Sequence, residues 1–336
     1  MSNIAYRPSS ISSLICDPVI KGKLSMIIKD AKLNHTNPGH TLLTGGPGLG
    51  KTTIAKIIAK EMNVPMIMFV GDNLKKTEQL DVLFEMDSRG VVMFVDEIHN
   101  TNIKVLEMLY ILMEDGLMYH SSQPSKAFLS PGPICLIGAT TEQHKLPKPL
   151  LGRFKLTIEL QPYTHDDIVS ILKLNADRMG MGANGEQIAV IAEVSGYTPR
   201  QALNMLSQTK MLSDNTYIKN NPESLYYVLL GLNNLSLVSG KDKLYNVISN
   251  DTHKVMSCLY PNTSSVGLER ISAATGLDED EIRYHIEPQL ITLGILEQDR
   301  KGRRLAKWCY EEPYKTYNTK TFPELIRREM DNVLIR

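Results

Sequence analysis

Residues 45–52, GGPGLGKT, contain the first spacing that names a chemistry. They fit G-x-x-x-x-G-K-[ST], in which glycines let the backbone fold back so that successive N–H groups point at one anion. That spacing puts Lys51 within reach of the β- and γ-phosphates of a nucleotide and the Thr52 hydroxyl where Mg²⁺ is held. The run Gly45, Gly46, Pro47, Gly48, Leu49, Gly50, Lys51, Thr52 and Thr53 is therefore the candidate phosphate-binding segment. A second pattern, VVMFVDEIH at 91–99, is an apolar run ending in two acids. Asp96 can hold Mg²⁺ through water, and Glu97 can orient and deprotonate the attacking water. The two acids could instead cap a helix beginning near Thr101. Behind a phosphate loop, the catalytic reading is the stronger.

Three further residues join this constellation. Thr141, in LIGATTE at 136–142, ends an apolar run and can hold the attacking water, or can simply cap a strand end. Arg200 opens the helix TPRQALNML at 198–206. An arginine in a first helical turn works against the macrodipole; facing a γ-phosphate is one reason to place it there, and a salt bridge to an acid is another. Arg153 lies in LPKPLLGRF at 146–154, with Lys145 and Lys148 nearby and no acid between them. From these residues alone it is either a surface charge packed on Phe154 or a cation placed to reach something negative.

The elements that must position these groups are legible in outline. TLLTG at 41–45 is a short strand running into the glycine turn, and TTIAKIIAKEM continues as a helix with Ile54, Ile57 and Ile58 on one face. MIMFV at 66–70, VVMFV at 91–95, ICLIGA at 134–139 and LTIEL at 156–160 are continuous apolar runs. Alternating with helices, they predict a parallel five-stranded sheet covered on both faces. An Asp-Pro start predicts a helix over 17–33. After Pro162 the strand signals stop, and residues 164–236 read as helices, followed by a linker at SLVSGKD, 236–242. Residues 243–312 give helices and then two short strands around a basic turn, and PELIRREMDNVLI at 323–335 is a final helix.

Composition sets limits. The chain has 336 residues, enough for two or three domains. Lys+Arg and Asp+Glu both number 37, so an anionic partner must be held by local patches, which argues against a coating protein but not against a DNA motor. The longest apolar runs fall far short of the ~20 residues that cross a bilayer, and MSNIAYRPSS has no signal pattern. Cys16, Cys135, Cys258 and Cys309 have no metal-ligand spacing. Reduced thiols in a cytoplasmic protein are expected.

The order GGPGLGKTT, VDEIH, GATT, GRF, TPR resembles that of AAA+ ATPases, α/β P-loop NTPases with a helical lid. Within that class the chain is most similar to the RuvB family, ring motors that drive branch migration of Holliday junctions. The likeness spans about residues 5–310 and is most specific in VGLERISAATGLDEDEIRYHIEPQLITLGILEQDRKGR, which resembles that family's winged-helix domain. The resemblance implies an ATPase domain over 1–161, a lid over 162–240, a winged-helix domain over 241–312 and a tail helix within 313–336. It implies ATP and Mg²⁺ as cofactors, a hexameric ring acting on duplex and branched DNA, and Arg153 as a finger reaching the neighbour's ATP. A guanidinium fork suits that task because it matches phosphate oxygens and offsets charge growing in the transition state. Arg7, in YRP at 6–8, resembles the adenine-side segment.

Departures from the family pattern matter too. Leu151-Gly152-Arg153-Phe154 replaces RDRF, Cys16-Asp17 replaces GQ, and residues 117–133 are shorter and differently composed where the family has the hairpin that grips RuvA. The loading partner is thus open between a RuvA-like protein and another loader. A clamp-loader-like or helicase-loader switch is the alternative to a motor; against it, such proteins place Ser-Arg-Cys at the finger and end in a helical collar. The helix DEDEIRYHIEPQ at 278–289 begins with acids that repel phosphates, so base reading is not expected. Arg300, Lys301, Arg303 and Arg304, around Gly302, are expected to touch the DNA backbone without reading sequence.

Overall fold

The computed structural model of the chain describes residues 7–86, 90–120, 128–182, 185–212, 215, 218, 224–239, 245–311 and 322–334. Tyr6 of the YRP segment, residues 121–127 of the expected partner hairpin and residues 240–242 of the expected linker lie outside them. The chain divides into two compact units, residues 1–182 with 197–203, and residues 183–196 with 204–336.

The first unit contains α1 (Pro18–Asn34), β1 (Thr41–Thr44), α2 (Lys51–Met62), β2 (Met66–Val70), β3 (Val91–Asp96), α3 (Ile103–Asp115), the short strands β4 (Met118–Tyr119) and β5 (Phe128–Leu129), β6 (Ile134–Thr140), α4 (Lys148–Leu151), β7 (Leu156–Glu159) and α5 (His165–Arg178). The Asp-Pro start works as expected: Asp17 accepts the Val19 and Ile20 N–H groups, and Pro18 opens the helix. Five strands form one parallel sheet in the order β2-β3-β6-β1-β7. The strand runs are uninterrupted in apolarity because both faces are covered, and alternate residues go to opposite sides. Val91, Met93 and Val95 join Leu42, Leu136 and the α3 residues Val105, Leu109 and Leu112 on one face. Val92 and Phe94 join Leu43, Ile137 and the residues Leu24, Ile28, Ile54 and Ile58 of α1 and α2 on the other. Each such fully buried side chain contributes about 1.5–3 kcal/mol over an exposed one. Because all five strands run the same way, the ends of β1, β3 and β6 open on one edge, where ligands of such sheets bind.

The second unit contains α6 (Gly185–Val194), α7 (Pro199–Leu212, whose first residues belong to the first unit), α8 (Ser224–Leu232), β8 (Leu235–Ser239), β9 (Tyr245–Ser249), α9 (Asn250–Leu259) and α10 (Leu268–Thr275). There follows a continuous helical stretch, α11, made of Glu279–Glu281, the π-helical Ile282–Ile286 and Glu287–Thr292, then β10 (Leu296–Asp299), β11 (Gly302–Leu305) and α12 (Phe322–Leu334). Ile271, Ile282, Ile286, Leu290, Leu296 and Leu305 share one core beneath the β10–β11 hairpin. The expected linker is corrected: Leu235–Ser239 is a strand paired antiparallel with Tyr245–Ser249. Its serines and glycine read as flexible, but Leu237 and Val238 are fully buried, and burial of alternate faces overrides composition.

The closing helix is not a loose tail. α12 packs on α8 and β8, so tightly that a Cβ on Gly231 would lie 2.5 Å from Met330 Cγ and 3.2 Å from Ile326 Cγ2. Gly231→Leu is therefore expected to lower stability by about 1–3 kcal/mol through overpacking. Amide exchange over 322–334 checks this, and unchanged protection there rules it out.

Candidate nucleotide site

The site forms where β1 ends and α2 begins. The loop of Gly45–Gly50 turns back over the helix N-terminus, and Lys51 is the first helical residue. Gly48 holds φ 81, and a Cβ there would meet Thr198 Cγ2 at 2.8 Å and Arg200 Cβ at 3.0 Å, so glycine is required by both conformation and space. Lys51 is only 7% exposed, and its Nζ donates to the carbonyls of Gly45 (2.7 Å) and Gly46 (3.0 Å). Burial lowers the pKa of this ammonium, while Glu97 and Asp96 draw it up and Arg200 presses it further down. Burial raises the Asp96 carboxyl, Glu97 adds to that, and Lys51 opposes it. Lys51 and Asp96 are thus partly desolvated and act on one another, the condition under which charge interactions are strong.

A cavity of about 550 Å³ collects most of the expected residues: Pro47, Gly48, Gly50, Lys51, Thr52 and Thr53 from the loop and α2, Asp96 and Glu97 from the β3 end, Arg200 from α7, and Arg7 with Pro8. Gly45, Gly46 and Leu49 complete the loop; the Leu49 carbonyl accepts from the Tyr163 hydroxyl at 3.4 Å. The donors fit a nucleoside polyphosphate: a buried ammonium, a helix N-terminus and a second cation converge on one cavity. The oxygens of Thr52 and Asp96, lining the same cavity, are the hard ligands that suit Mg²⁺.

Capping does not explain the acid pair, because α3 takes its cap from Asn102, whose side chain accepts the Lys104 N–H at 3.0 Å. Glu97 instead stands in left-handed backbone (φ 46, ψ 51), a conformation that costs a non-glycine residue about 1–3 kcal/mol. Its Oε2 accepts from Thr141 twice, from the backbone N–H at 3.2 Å and the hydroxyl at 3.1 Å. Thr141 therefore grips the carboxylate across the strands, where the sequence suggested a grip on water or a strand-end cap. His99 and Glu142, given no role by the sequence reading, pack into the same cluster. Their one sequence signal was position, directly beside the acid pair and the threonine pair.

Arg153 is not among the described residues lining that cavity. It follows α4, and its Nε and Nη2 donate to Glu114 Oε2 at 3.1 and 2.5 Å, its Nη1 to the Pro149 carbonyl at 2.8 Å. The guanidinium lies 5.3 Å from the Tyr110 ring centroid and so packs on Tyr110, while Phe154 is buried. The nearby cationic charge is balanced from outside the segment: Lys145 pairs with Glu142 at 2.8 Å.

In the second unit the four hairpin cations separate. Arg300 and Lys301 are exposed at the turn. Arg304 pairs with Glu297 at 2.9 Å on the surface. Arg303 stands apart from the other three: with 12% of its side chain exposed, it forks onto Glu287 (5%) at 2.6 and 3.3 Å. The charge count of DRKGRRLAK could not reveal this, because the partner is on another element.

A P-loop after β1, an acid pair at the end of β3 with β6 lying between those two strands, and a strand order of β2-β3-β6-β1-β7 define an AAA+ ATPase. The family model of the Holliday junction DNA helicase RuvB P-loop domain matches residues 6–160, and that of the RuvB C-terminal winged helix domain matches 248–312. The chain is 32% identical over 314 residues to the Holliday junction branch migration complex subunit RuvB of Staphylococcus aureus, covering 92% of each. Among solved structures, a mutant of Thermotoga maritima RuvB superposes with a TM-score of 0.74 at 28% identity, over 94% of this chain and 99% of that one. The structure described as the Thermotoga maritima RuvB Holliday junction branch migration motor gives 0.72 at 28%, over 94% and 98%. The chain belongs to the RuvB family. All four cysteines are free thiols, and no described helix is long and apolar enough to cross a membrane.

Proposed function

We propose that this chain is an ATP-driven motor that works as a homo-oligomeric ring, translocates duplex DNA and migrates the branch point of Holliday junctions. The observation that carries this reading is the presence, in one chain, of both RuvB modules: the P-loop unit with its assembled site, and the winged helix. Lys51 and the loop N–H groups hold the β- and γ-phosphates, Arg200 reads the γ-phosphate, and Arg7 lies on the adenine side. Thr52 and Asp96 would hold Mg²⁺, which when bound would offset charge on the phosphate oxygens. Glu97, fixed by Thr141, takes the proton of the attacking water. Arg153 acts on the neighbouring subunit's ATP, a role supported by its position outside the cavity of its own chain. β4 and β5 pair antiparallel at Met118↔Leu129 and Tyr119↔Phe128, in the segment where the family grips its loader, which supports a RuvA-like partner there.

The test is ATP hydrolysis by the purified protein alone, with linear duplex, and with a synthetic four-way junction, while arm separation is followed. Hydrolysis stimulated by DNA with separating arms is expected, with a RuvA-like loader added if the protein alone is silent. Hydrolysis indifferent to DNA with the loader present overturns the motor reading.

Backbone contact is assigned to Arg300 and Lys301. Replacing each with alanine is expected to weaken binding to all duplexes alike and to reduce the salt dependence of log K by about one per cation. Arg303→Ala is expected to act on stability instead, by about 3–5 kcal/mol, because it leaves Glu287 buried and unpaired. Binding isotherms across a salt series, with melting curves, separate the two outcomes.

A further inference from the structure

We propose that His99, anchored by Glu142, is a positioning residue that fixes the water-activating carboxylate of Glu97. This rests on the reading of Glu97 given above. The His99 side chain is buried, with 3% exposed, and both ring nitrogens have neighbours. Nδ1 is hydrogen-bonded to Thr140 Oγ1 at 2.8 Å and lies 3.3 Å from Glu97 Oε2. Nε2 lies 2.9 Å from Glu142 Oε2. The anchor is itself held twice, since the Glu142 N–H donates to Thr140 Oγ1 at 2.9 Å and its Oε1 pairs with Lys145.

The arrangement answers a mechanical problem. β3 ends at Asp96, and Glu97 leaves it in a left-handed turn, so the strand ladder no longer determines where its carboxylate points. A glutamate side chain has three rotatable bonds, and a displacement of ~1 Å in a reacting group can cost on the order of 10²-fold in rate. Thr141 holds Oε2 from one side, and the imidazole closes on the same oxygen from another. All three contacts fall on Oε2, which leaves Oε1 to receive the proton of water. Because the ring has little exposed surface, its orientation is set by Thr140 and Glu142 and not by solvent. A metal-binding histidine is oriented by a second carboxylate in the same manner; here the group being oriented is a general base.

The test uses the full chain. His99→Ala is expected to lower kcat for ATP by on the order of 10²-fold with the dissociation constant for ATP unchanged. An asparagine amide nitrogen occupies the place of Nδ1, whereas a glutamine amide nitrogen occupies that of Nε2. His99→Asn is therefore expected to retain more activity than His99→Gln, and Glu142→Gln to fall between wild type and His99→Ala. In a Glu97→Gln background, His99→Ala should cause no further loss. Wild-type kcat in His99→Ala overturns the proposal, as does a fall in ATP affinity that matches the fall in kcat. If the alanine variant does not fold, equal activities of the asparagine and glutamine variants, or the reverse order, overturn it. Full activity of Glu97→Gln by itself would overturn the reading of Glu97 instead.

Discussion

Arg153→Ala will lower ATP hydrolysis by about 10³–10⁵-fold, the range associated with loss of an arginine finger, and will leave ATP binding intact. Among the described residues it does not line its own chain's cavity, which leaves it available to a neighbour's. The side chain is held in place by Glu114, the Pro149 carbonyl and the face of Tyr110. With 31% of Arg153 and 61% of Glu114 exposed, that pair is worth only about 0–1 kcal/mol. A neighbour's triphosphate, offering several anionic oxygens to the same fork, competes with it easily. A mixing experiment distinguishes action between subunits from action within one. Arg153→Ala and Glu97→Gln subunits, each inactive, regain hydrolysis together, because some interfaces then join an intact Glu97 to an intact Arg153. Wild-type turnover by Arg153→Ala alone, or a mixture that stays silent, removes the finger assignment.

Glu97→Gln will reduce hydrolysis by about 10²–10⁴-fold, the contribution of a positioned general base. Glutamine keeps an oxygen that can accept from the Thr141 N–H and hydroxyl, so the local structure is retained while proton abstraction is lost. ATP binding should persist, since Lys51 and the loop N–H groups are untouched. Lys51→Ala, in contrast, removes the buried cation facing the loop and should weaken ATP binding itself. Single-turnover hydrolysis alongside equilibrium binding of nucleotide gives both numbers. A Glu97→Gln protein that turns over normally places the base elsewhere.

The features that were legible in the residues are those with a local physical cause. A phosphate loop is a run of glycines before a lysine and a threonine, readable at 45–52 because backbone conformation depends on which residues have no Cβ. The five strands were readable because a sheet buried on both faces demands unbroken apolar runs, and Asp96 and Glu97 because they stand directly at the end of one. The resemblance carried the winged helix, whose pattern continues through residues 248–312.

What only the tertiary structure decided are pairings between distant elements. The charge of Arg303 looks like that of Arg300 until Glu287, sixteen residues earlier in sequence, takes both arms of its fork. Arg153 finds Glu114 thirty-nine residues away, β8 finds β9 and buries Leu237 and Val238, and α12 finds Gly231. The joint grip of Thr141 and His99 on Glu97 is of the same kind, joining the ends of β3 and β6. Spacing along a chain reports which groups are present and which way the backbone can turn. Which charges neutralise one another, and which carboxylate is held still, depends on strands brought side by side by a core that the local pattern does not contain.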